Sequence, residues 1–137
     1  MDYRVILYHK QATSARTRFL KFDNDSVCAF EKLPKLAQLV AVSADDPAMP
    51  HAAVLTSVEQ KLCLATGDLE AEGEYRHSVE VPGGRIAVIL AGITTIDPPF
   101  ELADRAGATF IDLTQAKGLP QVELELLRHA YELLMGG

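Results

Sequence analysis

Alternation of apolar and polar side chains is clearest in the second half of the chain. Tyr75, His77, Val79 and Val81 alternate with Arg76, Ser78 and Glu80, the period of a strand with one face packed and one wet. Pro82-Gly83-Gly84 then supplies tight-turn residues, and Ile86 to Ile93 is almost continuously apolar. The pattern predicts an antiparallel hairpin of residues 75–81 and 85–93 whose second strand is covered on both faces. Residues 3–8, rich in β-branched and aromatic types, predict a first strand, and Ala53 to Val58 a further one followed by a short apolar run at 62–64.

Helical signals fill much of the remainder. After a polar stretch from Gln11 to Arg18, Asn24, Asp25 and Ser26 offer oxygens to cap a helix beginning near Val27. Pro34 interrupts it, Leu33 with Ala37 and Leu36 with Val40 resume helical spacing, and residues 39–42 suit helix or strand equally. Asp45-Asp46-Pro47 and Pro50 mark a turn-rich connection. Beyond the hairpin, Asp97 can cap a helix whose first residue is Pro98, with Gly107 at its exit, and Thr109 to Thr114 reads as a strand. The stretch from Asp97 to Ala108 is long enough for a crossover to a parallel neighbour, so the sheet is expected to be mixed. The predicted fold is a single α+β domain over residues 1–137, combining that mixed sheet and hairpin with a β-α-β crossover and a C-terminal amphipathic helix.

The last helix has an unusual pattern. Pro120 fits its first turn, and at ~100° per residue Gln121, Glu125, Arg128, His129 and Glu132 gather on an arc of about 100°. The rest of the circumference carries Val122, Leu124, Leu126, Leu127, Ala130, Tyr131, Leu133, Leu134 and Met135, broken only by Glu123. That is about twice the apolar stripe of an ordinary surface helix. Either the helix is sunk deeply into its own domain, or part of the stripe faces the core while Leu124, Tyr131 and Met135 face a partner. A homodimer is the expected form of such a partner, because symmetric pairs are the commonest oligomers.

Composition narrows the functional classes. The chain has 137 residues, 48% hydrophobic and 23% charged, with a formal charge of −6. Its charge is uneven: residues 1–35 carry seven basic and four acidic side chains, and residues 36–137 carry six and fifteen. A modest basic excess confined to the start disfavours a nucleic-acid surface, which normally shows a broader basic face. The apolar run Val5 to Tyr8 is far shorter than a signal-peptide core or the ~20 residues of a membrane helix, so no membrane role and a cytoplasmic location are expected. Cys28 and Cys63 read as two reduced thiols, and His9, His51, His77 and His129 are scattered without metal-ligand spacing, so no metal or cofactor is implied.

Four groupings could carry chemistry. Cys28, in the first turn of the expected helix, would have its thiolate favoured by unpaired amide hydrogens, but Asp23 and Asp25 act the other way and its apolar neighbours make a packed thiol the better reading. Asp68, Glu70, Glu72 and Glu74 imitate part of a calcium loop, but Val79 stands where a bidentate carboxylate is needed, leaving a solvated acidic loop as the better reading. Asp97 and Asp112, with Thr114, would lie at the carboxyl ends of the two crossover strands, the edge where open α/β sheets usually bind ligands. Thr13, Ser14, Arg16, Thr17, Arg18 and Lys21 collect hydroxyls and positive charge suited to an anion or an acidic protein surface.

No Gly-rich phosphate loop or nucleophile elbow occurs in the sequence. The sequence therefore favours a non-catalytic interaction or regulatory domain, self-associating through its final helix and contacting something charged. The alternatives are a small enzyme using Cys28 as nucleophile or Asp97 and Asp112 as acid–base or metal-binding groups, and a small-ligand or anion-binding module.

Overall fold

The computed structural model describes residues 2–11, 14, 16–29, 31–40 and 51–136. The expectations placed on Thr13, on residues 41–42, and on Asp45-Asp46-Pro47 and Pro50 lie outside these. Along the described chain run β1 (Asp2–Lys10), β2 (Thr17–Phe22), β3 (Cys28–Ala29), β4 (Gln38–Val40), α1 (His51–Lys61), β5 (Leu69–Ala71), β6 (His77–Val81), β7 (Gly84–Ile93), α2 (Phe100–Arg105), β8 (Ala108–Ile111) and α3 (Gln121–Gly136). The fold is mixed α+β, built on one open sheet of order β4-β6-β7-β1-β2-β8.

Two long parallel strands form its centre, with Val5 opposite Ile89 and Ile6 opposite Leu90 across β1 and β7. Each has its outer edge divided between two partners. β6 covers the first half of β7 and β5 its end, while β2 pairs with the end of β1 and β3 with its middle. The divided edges explain why β3 and β5 are so short.

Alternation along the central strands produces two cores. Ile6, Phe19, Cys28, Val79, Val88 and Leu90 pack beneath Leu126, Leu127 and Ala130 of α3. Val5, Leu7, Leu20, Ile89 and Ala91 pack on the opposite face against Leu55 and Val58 of α1 and Leu102 and Ala103 of α2. Helices thus cover both faces, which is why β7 is buried from Ile86 to Ile93. Among the described residues no helix is long and apolar enough to cross a membrane.

The expected hairpin is present, with Val79 opposite Ile86 and His77 opposite Val88. Its two-residue turn places Gly83 at φ 91°, which glycine adopts without steric cost. Tyr75 lies just outside the strand, buried, and donates from its hydroxyl to the Leu126 carbonyl oxygen at 2.8 Å.

Four local expectations are corrected. Val27 does not open a helix: residues 23–25 form a turn, and Cys28 and Ala29 join β1 as β3. Pairing with β1 overrides the capping signal, and the Ser26 hydroxyl accepts from the Cys28 amide at the start of this strand instead. Residues 33–37 are not helical either, so Leu36 stands exposed before β4, and Leu39 and Val40 are strand.

Ala53 to Val58 is helix rather than strand, within α1. Six residues do not separate the two periods, and Leu55, Val58 and Leu62 are buried at the three- and four-residue steps of a helix face. Finally, β7 and β8 run in the same direction but are not neighbours, because β1 and β2 lie between them.

Candidate functional site

The same-direction arrangement of β1, β7 and β8 brings their carboxyl ends to one sheet edge, where Asp97 and Asp112 follow β7 and β8. Arg16 and Arg18, at the start of β2, reach this edge too. The Arg16 guanidinium grips Asp112 with two bonds, Nε to Oδ1 at 2.9 Å and Nη2 to Oδ2 at 2.6 Å. Gln11 donates to Asp97 Oδ1 at 3.2 Å and accepts from Arg18 at 3.1 Å. Arg18 also lies over the exposed Phe100 ring, 5.9 Å from its centroid. Both carboxylates are therefore taken up by side chains of the β1–β2 connection, Asp97 by Gln11 and Asp112 by Arg16.

Asp97 does not cap α2. The helix begins after Pro99 without a side-chain cap, because two consecutive prolines hold the preceding chain extended. Asp112 has its carboxyl held below the usual range, chiefly by the hydrogen bond from Arg16. An ionised carboxylate already paired with a guanidinium is poorly suited to donating protons.

Lys21 is separated from the two arginines: it lies further along β2 and pairs with Asp25 at 3.5 Å. The basic stretch read from the sequence is thus two sites rather than one patch. Among the described residues, no group of three or more His, Cys, Asp or Glu side chains could hold a metal ion.

Cys28 is fully buried, and burial together with the nearby Glu123 carboxylate pushes its thiol up. This is the opposite of the activation expected at a helix start, and no helix starts there. In the acidic stretch, Asp68 accepts from the Ala65 amide and Glu72 from the Tyr8 hydroxyl.

Two carboxylates with important roles carry no local signal in sequence. Glu123, in the first turn of α3 and fully buried, accepts from the Ser26 hydroxyl at 2.9 Å and the Val27 amide at 2.9 Å. Glu59 on α1 accepts from the amides of Gly67 and Leu69 at 2.9 and 3.0 Å. Each fastens a helix to a chain segment that would otherwise leave buried amides unpaired. Two cavities lie away from the sheet edge. One of about 440 Å³ separates α1 from the first residues of β1 and is lined by Arg4, Glu31, Ser57 and Lys61. The other, of about 410 Å³, lies beside Lys32, Lys35 and Pro120.

Burial along α3 is uneven around the helix. Glu123, Leu126, Leu127 and Ala130 are 0% exposed and define the packed side. Tyr131 is 37% and Met135 45% exposed, with Leu124 half-buried on the same flank. No protein-family model matches the chain, and no curated protein matches it.

The opposite flank of α3 holds a pair that sequence separation concealed. His129 stacks on His77 of β6 with ring centroids 4.7 Å apart, and the Tyr75 ring meets His77 edge-on at 4.5 Å. Burial, and secondarily the charge of His129, holds the His77 pKa below its ordinary value. The folded state therefore resists a proton that the unfolded chain accepts. This contribution to stability is intact above the unfolded pKa of about 6.5 and is lost as pH falls through the lower folded value. Urea midpoints measured from pH 7.5 downward should fall below pH 6.5, and His77→Gln should remove that component of the slope.

Proposed function

We propose that this chain is a protein-interaction domain that works by self-association through the outer flank of α3, without catalysis of its own. The observation carrying this reading is the division of the α3 stripe. Leu126, Leu127 and Ala130 are buried by the sheet, while Tyr131 and Met135, with half-buried Leu124, remain on a second line of the same helix. Exposed aromatic and methionine side chains on a rigid element match the composition of interface cores. The lack of an activated nucleophile at Cys28 and the ionised, paired state of Asp112 agree with a binding role.

The size of the flank sets the expected strength. A helix of 16 residues is about 24 Å long. A strip of that length and one helix width is smaller than a standard specific interface, so a weak, reversible dimer with a dissociation constant of roughly tens of micromolar is expected. Tyr131→Glu tests the surface, because a carboxylate at its centre must be desolvated on association. Sedimentation velocity should show dimerisation weakened at least tenfold with the thermal midpoint nearly unchanged. Unaltered dimerisation in this variant would remove α3 from the contact.

A further inference from the structure

The outer flank of α3 has a spacing that specifies how two copies would meet. Gln121, Leu124, Arg128, Tyr131 and Met135 are separated by steps of three, four, three and four residues, the a and d positions of a coiled-coil seam. Arg128 and Gln121 are exposed, as are Tyr131 and Met135. On the core side the seam is bounded by Leu127 and half-buried Leu134, and on the solvent side by Glu125 and Glu132. We infer that the contact is an antiparallel pairing of two α3 helices about a two-fold axis, with Leu124 opposite Met135 and Arg128 opposite Tyr131 of the second copy. This inference rests on the self-association reading and specifies its geometry.

Orientation follows from the cation in the middle of the seam. A parallel pair places a with a and d with d, so Arg128 would face its own copy, two like charges at the centre of a contact losing water. An antiparallel pair places a against d. Arg128 then meets the face of Tyr131, a cation–π contact, and does so twice by symmetry. The same register sets Leu124 against Met135 at each end, so both apolar pairs close together. Glu125 and Glu132 then approach each other across the solvent-exposed margin. Arg128 of one copy lies one position from Glu132 of the other and counters that repulsion.

Cysteine cross-linking distinguishes the registers. A Cys63→Asn background removes the exposed native thiol, and asparagine tolerates the φ of 58° at that position. Cys28 is buried and can remain. When Leu124→Cys and Met135→Cys proteins are mixed and oxidised, the antiparallel register predicts a disulfide between unlike variants, identified by mass spectrometry. Each variant alone should cross-link poorly, because eleven residues of helix place like positions ~16 Å apart along the axis.

Arg128→Ala gives an independent readout that needs no new thiol. Loss of two cation–π contacts should weaken the antiparallel dimer roughly five- to thirtyfold, whereas a parallel dimer would tighten as its facing charges disappear. Cross-linking of Leu124→Cys to itself, or tighter association of Arg128→Ala, would overturn the register while leaving self-association standing. A solely monomeric unmodified chain would overturn the self-association reading, and this inference with it.

Discussion

Glu123→Ala should lower stability by about 3 kcal/mol, the largest single-residue effect expected among the polar side chains. Glu123 is completely buried, yet its carboxylate takes a hydrogen bond from the Val27 amide and contacts the Ser26 hydroxyl through both oxygens. Truncation removes the acceptor of both donors. The damage should spread, because Ser26 also accepts from the Cys28 amide and so helps hold β3 against β1.

At this chain length the loss corresponds to a melting temperature roughly 10 °C lower. Glu123→Gln keeps one carbonyl acceptor and should lose about half as much, measured by calorimetry or urea unfolding. If alanine cost less than about 1 kcal/mol, these donors would have found other partners and the fastening role would be wrong.

The pH dependence of this residue opposes that of His77. Burial pushes the Glu123 carboxyl up, against the pull of the Val27 and Ser26 donors. A raised folded pKa means the folded state binds the proton more tightly than the unfolded chain. Its stabilising contribution is complete below the unfolded pKa and is lost as pH rises through the folded one. Stability should thus fall with acidification through His77 while rising through Glu123, and Glu123→Gln should leave the His77 component intact.

Gly92→Ala should cost about 2 kcal/mol or more through overpacking. Gly92 sits directly across from Tyr8 in the β1–β7 ladder. A Cβ at this position would lie 2.7 Å from both the Cζ and the hydroxyl oxygen of Tyr8. The Tyr8 ring crosses the glycine so that its hydroxyl can donate to Glu72, beyond β5. A methyl group must displace the ring, and the buried hydroxyl then loses its acceptor.

The effect should depend on that ring. In a Tyr8→Leu background, Gly92→Ala should cost at least 1 kcal/mol less than in the unmodified chain, a coupling that a double-mutant cycle measures. Additive losses would mean that the backbone requirement at Gly92, and not the tyrosine, sets the penalty.

These two residues mark the boundary of what the sequence discloses. The hairpin is legible because alternation, a Pro-Gly-Gly turn and a continuous apolar strand agree on one structure. The division of the α3 stripe is legible for a similar reason, since Leu126, Leu127 and Ala130 differ in angle from Tyr131 and Met135 by a computable amount. Ser26, by contrast, resembles a helix cap, and its partner Glu123 lies 97 residues away. Nothing local shows that this carboxylate would join the β3 segment. β3 itself exists because β1 supplies its ladder, and no two-residue segment could announce that.

The sheet-edge residues were partly legible. Asp97 and Asp112 do reach the carboxyl edge, but their partners come from the opposite end of the chain. The Arg16–Asp112 pair spans 96 residues and the Gln11–Asp97 pair 86. Ala53 to Val58 suits a strand as well as a helix because its apolar positions fit both periods over six residues, and only the burial of Leu55, Val58 and Leu62 in the folded chain separates them. The stacked histidines likewise combine β6 with α3, so scattered sequence positions concealed a contact that needs the folded sheet.

Sedimentation equilibrium of the unmodified chain, loaded from about 1 to 100 µM at neutral pH, addresses the central claim most directly. The expected result is a reversible monomer–dimer equilibrium with a dissociation constant in the micromolar range. A single monomeric species throughout that range would contradict the account.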